Sequence, residues 1–196
     1  MVNYPNGRKC RPAAPAGKIG AGDRGMELEK EINVTNDFYL SDDRAVIHKK
    51  PTPVTIVKVD YPTRSAARIT EAYFKLPSTT DYNGIYRGRY IDFEAKECQS
   101  RTSFPIKSIH AHQIEHLDAV TRHGAIAFVI VRFVQLDETW LVNAADMSSY
   151  IRTCGRSSIP YEWFCRSGCR VPRRYLAPVD YLSVVDQVYF KENPTS

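Results

Sequence analysis

The hydrophobic and polar positions along this chain follow two periods, one typical of helices and one typical of strands. Within residues 25–42, Leu28, Ile32 and Tyr39 share one helical face, and glutamates fill the first turns, where the helix dipole favours acids. The same spacing predicts further helices over residues 105–123, 145–154 and 179–190.

Strands are predicted where β-branched and aromatic residues cluster or alternate with polar ones. These segments are residues 44–50, 54–60, 79–86, 89–96, 125–134 and 139–142. Residues 125–134 are almost continuously apolar, which is typical of a strand buried on both faces at the centre of a sheet. The order of helices and strands predicts an α/β fold, with a single domain over residues 25–196.

Two segments lack these periods. Residues 1–24 are rich in proline and glycine and predict a flexible basic arm, whereas residues 61–77 mix basic and aromatic side chains and predict an insertion that leaves the sheet. Such segments are suited to contact with DNA phosphates and unpaired bases; a solvated tail and a helix with a solvated face are the alternatives. The candidate DNA-binding residues are Arg8, Lys9, Arg11 and Arg24 in the arm, Arg64, Arg68, Tyr73, Phe74 and Lys75 in the insertion, and Arg87 and Arg89 in the hairpin that follows.

Composition and charge narrow the class of protein. The chain has 196 residues, 43% of them hydrophobic, and a net charge of +5, which supports one packed core and a mild preference for a polyanion. No apolar run approaches the roughly 18 residues of a membrane span, and no signal peptide is recognisable, so we expect no membrane association and a cytoplasmic location. Five cysteines, an odd number, suit a reducing compartment, although Cys165 and Cys169 could form half of a zinc site.

Two carboxylates and an ammonium group are predicted to meet on the hairpin of residues 79–96. Glu94 and Lys96 lie two apart on one strand and therefore share a face, and Asp81 on the partner strand can reach that face. Oxygen ligands for Mg²⁺ beside a cation are the groups that metal-dependent phosphodiester cleavage requires. A cross-strand salt bridge on the surface is the simpler alternative.

Gln113 occupies the centre of the apolar face of the helix predicted over residues 105–123. A buried amide needs hydrogen-bond partners, so this side chain either bonds the neighbouring backbone or reaches the strand that carries Glu94.

On the same helix, His112 and His116 match the H-x-x-E-H pattern of inverted zinc proteases, which makes a zinc hydrolase a competing hypothesis. The later predicted helices offer no obvious third ligand for such a site.

The spacing between Asp81 and Glu94-Ala95-Lys96 resembles the core of the PD-(D/E)xK nucleases, with Thr80 at the position of the proline in that name. More narrowly, the chain resembles the RecU-type Holliday-junction resolvases. The segments that carry this resemblance are residues 3–7, 24–26, 45–53, 57–62, 78–84, 90–97, 102–105 and 112–114. Together they are far more specific than the D…E-x-K pattern alone.

The resemblance implies a restriction-endonuclease-like mixed sheet flanked by helices, with residues 61–77 as a stalk that protrudes toward the junction centre. It also implies a homodimer that cuts four-way DNA junctions with Mg²⁺ or Mn²⁺; a recombinase or a branch-migration helicase is a further candidate partner. Asp81, Glu94 and Lys96 are the expected catalytic residues, with Lys96 as the stabiliser of the transition state. The positions that correspond to the metal site are Thr79, Asp81, Glu94 and Gln113. A junction-binding protein that lacks nuclease activity and modulates a recombinase is the alternative.

Overall fold

A mixed sheet between two layers of helices forms the body of the protein in the computed structural model, which describes residues 26–63, 66–75 and 79–190. The helices are α1 (Met26–Ser41), α2 (Ala111–Arg122), α3 (Ala144–Thr153), α4 (Tyr161–Ser167) and α5 (Tyr181–Tyr189). The strands are β1 (Val46–Lys49), β2 (Val54–Asp60), β3 (Arg68–Phe74), β4 (Tyr82–Tyr86), β5 (Arg89–Cys98), β6 (Ser103–Pro105), β7 (Ile126–Phe133), β8 (Glu138–Asn143), β9 (Ser158–Pro160) and β10 (Cys169–Arg170).

Six strands form the main sheet in the order β1-β4-β5-β7-β8-β10. β5 and β7 pair in parallel, and the connection between them contains α2, as a parallel crossover requires; the other neighbours are antiparallel. β7 is buried along its whole length and lies inside the sheet, as its continuous apolar run predicts. The prediction of an α/β fold with a mixed sheet flanked by helices is therefore confirmed.

The β4–β5 hairpin closes with a two-residue turn. Its backbone has positive φ at Arg87 (48°) and Gly88 (74°), which is the conformation of the type I′ turns that join twisted antiparallel strands. A second glycine, Gly84, permits the close approach of β1, because a Cβ atom there would lie 2.1 Å from the carbonyl oxygen of Val46. The hairpin is thus held at its turn and along its outer edge.

The register of this hairpin determines which residues meet at its open end. Tyr82 pairs with Phe93, so Asp81, which immediately precedes β4, lies beside Glu94. The ring of Phe93 stacks between those of Tyr82 and Phe128, with centroids 4.8 Å apart in both contacts. Because a shift of one residue would turn Phe93 to the opposite face of the sheet, away from both rings, the aromatic packing fixes the position of Asp81 relative to Glu94.

The two faces of the main sheet pack against different helices. On one face, α1 and α5 contribute the fully buried Ile32 and Leu182 to a hydrophobic core. On the other face, α2, α3 and α4 contribute Leu117, Met147 and Phe164 to a second core. Successive residues of β5 therefore point alternately toward α1 and α5 or toward α2.

A separate two-stranded sheet projects from this body, and we call Val54–Phe74 the stalk hairpin. Among the described residues, β2 and β3 pair only with each other, and nearly all of their side chains are exposed, including Ile56, Ile69 and Phe74. The hairpin begins earlier than the predicted insertion at residue 61, because the strand over residues 54–60 pairs with β3 and not with the main sheet.

The other differences from the sequence prediction concern short elements. The helix predicted from residue 105 begins only at Ala111, because Ser103–Pro105 pairs with β9 and a 3-10 turn, Ile106–Ser108, follows it. The C-terminal end of this helix is as predicted, because Gly124 follows it in the left-handed conformation, with φ 86°. The strands β6, β9 and β10 and the helix α4 were not predicted, because segments of two to seven residues carry too little periodicity.

The cysteines of the described residues, Cys98, Cys154, Cys165 and Cys169, are free. Cys98 is buried, whereas Cys165 is exposed at the end of α4. Of the helices in the described ranges, none has the length and apolar character needed to cross a membrane.

Candidate active site

A row of polar side chains on β5 points toward α2. Asp92, Glu94 and Lys96 alternate with Phe93 and Ala95, which belong to the core on the opposite face. Asp92 and Glu94 are fully buried, whereas the side chain of Lys96 is 24% exposed. Since a buried carboxylate needs ionic or hydrogen-bonding partners, the contacts of this row define the candidate site.

Glu94 is at the centre of that site. Its Oε1 accepts a hydrogen bond from Nε2 of Gln113 at 2.6 Å and forms an ion pair with Nζ of Lys96. Its Oε2 accepts a hydrogen bond from the backbone N–H of Asp81 at 3.1 Å. The structure thus brings together Asp81, Glu94, Lys96 and Gln113, all of which the sequence places in the site, while their catalytic and metal-binding roles stay predictions.

The side chain of Gln113 bonds both of the partners that the sequence offered as alternatives, the neighbouring backbone and Glu94 on β5. While its Nε2 donates to Glu94, its Oε1 accepts a hydrogen bond from the backbone N–H of His110 at 3.0 Å. Because a backbone N–H can only donate, this contact fixes the amide with its nitrogen toward Glu94. A role as a metal ligand needs the amide oxygen, so the side chain would have to turn away from His110 to take it.

Burial raises the pKa of Glu94 from its ordinary value of 4.5 to about 7. The ammonium of Lys96 acts in the opposite direction and lowers this pKa, and the neighbouring carboxylate of Asp81 raises it. A carboxyl group with this pKa, next to a second carboxylate, would be stabilised in its charged form by a bound cation.

We expect the stability of the metal-free protein to depend on pH through Glu94. Because its pKa is higher in the folded state, the folded state binds this proton more tightly than the unfolded chain, and stability falls as the pH rises from 4.5 to about 7. The full shift corresponds to about 3 kcal/mol. Urea unfolding should show that Glu94→Gln removes this loss, while the exposed control Glu115→Gln retains it. Equal pH dependence in wild type and Glu94→Gln would refute the raised pKa.

The oxygen donors at this site fit a hard divalent cation. Thr79 and Asp81 line a cleft of about 250 Å³ together with Lys49 and Lys50. Two adjacent carboxylates beside a hydroxyl group are typical ligands of Mg²⁺ or Mn²⁺. Within the described ranges, no group of three His, Cys, Asp or Glu side chains is placed to hold a metal ion, so further ligands would be neutral oxygens, water or phosphate.

A second polar cluster, which the sequence analysis missed, surrounds Asp92. Its Oδ2 accepts hydrogen bonds from Nζ of Lys50 at 3.1 Å and from the hydroxyl of Tyr90 at 2.8 Å. Its Oδ1 accepts a hydrogen bond from the hydroxyl of Thr80, and Nε2 of His116 lies 3.0 Å from Oδ2. The two-residue period of the strand is the signal that could have found Asp92, since it shares a face with the predicted catalytic residues.

The histidines of the zinc hypothesis have separate surroundings. His116 contacts Asp92, whereas the ring of His112 stacks on that of His110 with centroids 5.4 Å apart. In the part of the chain that the structure describes, no third His, Cys, Asp or Glu side chain joins His112 and His116 in a metal-binding group.

The predicted DNA-binding residues fall into three groups. Exposed residues on or next to the stalk hairpin are Arg68, Tyr73, Phe74 and Lys75. Arg87 and Arg89 lie at the turn of the β4–β5 hairpin, far along β5 from Lys96. There Arg87 forms an ion pair with Asp186 at 3.2 Å, and Arg89 donates a hydrogen bond to the carbonyl of Gly124 at 2.6 Å. The residues outside the described ranges are Arg8, Lys9, Arg11, Arg24 and Arg64.

The chain is similar to known proteins over most of its length. The family described as "Recombination protein U" matches residues 23–187. A protein named Holliday junction resolvase RecU from Geobacillus kaustophilus (strain HTA426) is 52% identical over 196 residues, covering 96% of this chain and 98% of that protein. A protein of the same name from Bacillus thuringiensis (strain Al Hakam) is 49% identical over 197 residues, with the same coverage of 96% and 98%. Among solved structures, that of Hjc, a Holliday junction resolvase from Archaeoglobus fulgidus, has a TM-score of 0.43 and 12% identity, covering 74% of this chain and 95% of that chain.

Proposed function

The chain belongs to the Recombination protein U family, and we propose that it is an endonuclease that resolves four-way (Holliday) DNA junctions in homologous recombination and DNA repair. The observation that carries this proposal is the meeting of Asp81, Glu94 and Lys96 at the open end of the β4–β5 hairpin. This arrangement occurs in a chain that is 52% identical to a protein named as a junction resolvase. The same three groups supply what hydrolysis of a phosphodiester needs: oxygen ligands for a metal ion and a fixed positive charge.

The residues of the site have different tasks in this chemistry. Asp81 and Glu94 would hold a Mg²⁺ or Mn²⁺ ion, with Thr79 and, after its amide turns, Gln113 as neutral oxygen ligands. When bound, such an ion lowers the pKa of a coordinated water and stabilises charge on the scissile phosphate. Lys96 is held beside Glu94 by their ion pair, and its ammonium neutralises the phosphate oxygens as negative charge develops on them.

Resolution of a junction needs two nicks in strands of like polarity, so two active sites must face the DNA with two-fold symmetry. A homodimer supplies this arrangement directly. The stalk hairpin supports the proposal, because an isolated two-stranded sheet is only marginally stable in water and this one leaves Ile56, Ile69 and Phe74 exposed. A second subunit or junction DNA would cover these side chains.

Removing the stalk hairpin should abolish the preference for junctions and leave the fold intact. Replacement of Val54–Phe74 by a short Gly-Ser link keeps the main sheet and both cores, since β2 and β3 pair only with each other in the described structure. The ratio of junction affinity to duplex affinity at fixed salt should fall toward one, because the surface that reaches the open junction centre is lost. A deletion variant that remains dimeric by light scattering and keeps this ratio would show that the stalk does not recognise the junction.

Phe74 permits a finer version of the same test. Its side chain is 84% exposed, and stacking of a base on an aromatic ring contributes about 1–3 kcal/mol. Phe74→Ala should therefore weaken junction binding about 5- to 150-fold. The matched control is Tyr175→Ala, which removes an aromatic ring that is 98% exposed outside the stalk hairpin.

Cleavage of a synthetic four-way junction tests the proposed function. The protein is incubated with the junction and with linear duplexes of the same sequence, in Mg²⁺ and in EDTA. Preferential, metal-dependent cleavage of the junction is the expected result. Junction binding without cleavage in any divalent ion would instead identify a junction-binding protein that lacks nuclease activity.

A further inference from the structure

We propose that the buried carboxylate of Asp92 positions the candidate metal ligands on either side of it. The proposal rests on the proposed nuclease function and adds to it a residue that does not itself touch the metal or the DNA. Asp92 lies two positions before Glu94 on the same face of β5, and its contacts lead by separate routes to Asp81 and to Gln113.

Asp92 is a positioning residue and not a further ligand, because donors already occupy its oxygens. A buried carboxylate is costly unless it is paired and hydrogen-bonded, and Asp92 is fully buried. The cation of Lys50 and the hydroxyl groups of Thr80 and Tyr90 supply these partners, together with the imidazole of His116. An ion could reach the carboxylate only by displacing several of them.

The first route leads to Asp81, which immediately precedes β4 and lies outside the paired residues of the β4–β5 hairpin. Thr80 is covalently joined to Asp81, is 3% exposed, and donates its hydroxyl hydrogen to Asp92. Lys50 pairs with Asp92 through its ammonium and donates its backbone N–H to the carbonyl of Asp81 at 2.7 Å. Thr80, which precedes Asp81 in the chain, and Lys50, which is hydrogen-bonded to the Asp81 carbonyl, are thus both tied to the Asp92 carboxylate.

The second route leads to Gln113 through α2. His116 follows Gln113 by three residues, so both side chains lie on the same face of the helix. Gln113 contacts Glu94 and His116 contacts Asp92, which gives α2 two parallel hydrogen bonds to β5. These two contacts orient the polar face of α2 toward β5, in addition to the packing of Leu117 in the second core, and His116 thereby helps to hold Gln113 against Glu94.

Groups that orient metal ligands without touching the metal typically change metal affinity about 10- to 100-fold when they are removed. We expect this range for Thr80→Val, which removes one hydroxyl at nearly constant volume, and for His116→Ala, whose side chain is partly exposed. His116→Gln keeps a nitrogen donor and should restore most of the affinity. His123→Ala changes an exposed histidine at the far end of α2 and should have no effect.

The experiment measures Mn²⁺ binding to the full-length, DNA-free protein by calorimetry, together with the Mn²⁺ concentration that gives half-maximal junction cleavage. Both quantities should shift about 10- to 100-fold in Thr80→Val, His116→Ala and Asp92→Asn. Junction affinity in EDTA should stay at the wild-type value. Thermal unfolding establishes that each variant is folded, and if Asp92→Asn is not, the other two variants decide.

The outcomes separate this proposal from the proposed function. Folded Thr80→Val and His116→Ala variants that bind Mn²⁺ with wild-type affinity would overturn the positioning role of Asp92, even if their melting temperatures fall. A wild-type protein that neither binds Mn²⁺ nor cleaves the junction would overturn the proposed function instead.

Discussion

Asp81→Asn is expected to eliminate junction cleavage and to preserve junction binding. The substitution removes one of the two carboxylates that face each other in the site, and with it a charged oxygen ligand. The loss in rate should at least match the roughly 10²- to 10³-fold effect of removing one preorganised charge-stabilising group. Binding should be equal or tighter, because the variant presents one less negative charge to the phosphates. Single-turnover cleavage in Mg²⁺ and a junction titration in EDTA measure the two quantities.

A matched substitution distinguishes the loss of a carboxylate in the site from the general effect of removing one negative charge. Asp37→Asn makes the same change at an exposed position of α1 and should leave both rate and affinity unchanged. Protonation of Glu94 cannot explain a loss in Asp81→Asn, because the Asp81 carboxylate raises the pKa of Glu94 and its removal lowers that pKa. Cleavage by Asp81→Asn at the wild-type rate would show that Asp81 is not part of the active site.

Lys96→Met should lower the cleavage rate at least about 100-fold, since one preorganised charge contact in an active site contributes roughly 2.7–4 kcal/mol. Methionine keeps most of the side-chain volume and removes only the ammonium that pairs with Glu94. Lys107→Met, at an exposed position outside the site, is the control for the lost positive charge. A Lys96→Met variant that cuts within a few-fold of wild type would contradict the assignment of Lys96.

The pH dependence of Lys96→Met distinguishes two origins of its defect. The ammonium of Lys96 lowers the pKa of Glu94, so its removal raises that pKa further and leaves more of Glu94 protonated near neutral pH. If this were the whole effect, the rate would return to wild type as the pH rises well above the Glu94 pKa. A direct action of Lys96 on the phosphate predicts a loss that persists at every pH.

The sequence predicted the elements that position the site, because these elements have strong local signals. The continuous apolar run of residues 125–134 could be accommodated only inside the sheet, where β7 lies. The two-residue period of the strand put Glu94 and Lys96 on one face, and the helical wheel put Gln113 on the buried side of α2, where it contacts Glu94.

The cluster around Asp92 could not be predicted in the same way. Lys50, Thr80 and His116 come from a loop end, an irregular segment and a helix, and only the folded chain brings them to one carboxylate. The orientation of the Gln113 amide has a similar origin, because it depends on a backbone N–H that becomes available only where α2 begins. Such contacts depend on tertiary packing and leave no periodic signal in the sequence.

The local sequence pattern also could not predict where the stalk hairpin begins. Residues 54–60 have the composition of an ordinary strand, and composition does not reveal which partner a strand pairs with. Their pairing with β3 becomes visible only in the structure, where it moves the start of the protrusion to Val54.

Mapping the cuts in a synthetic four-way junction tests the central claim most directly. In Mg²⁺, the wild-type protein should nick two strands of like polarity at symmetry-related positions, while the linear duplexes of the same sequence stay intact and Asp81→Asn makes no cut. A folded wild-type protein that leaves the junction intact in both Mg²⁺ and Mn²⁺, or cuts junction and duplex alike, would contradict the assignment of this site to junction resolution.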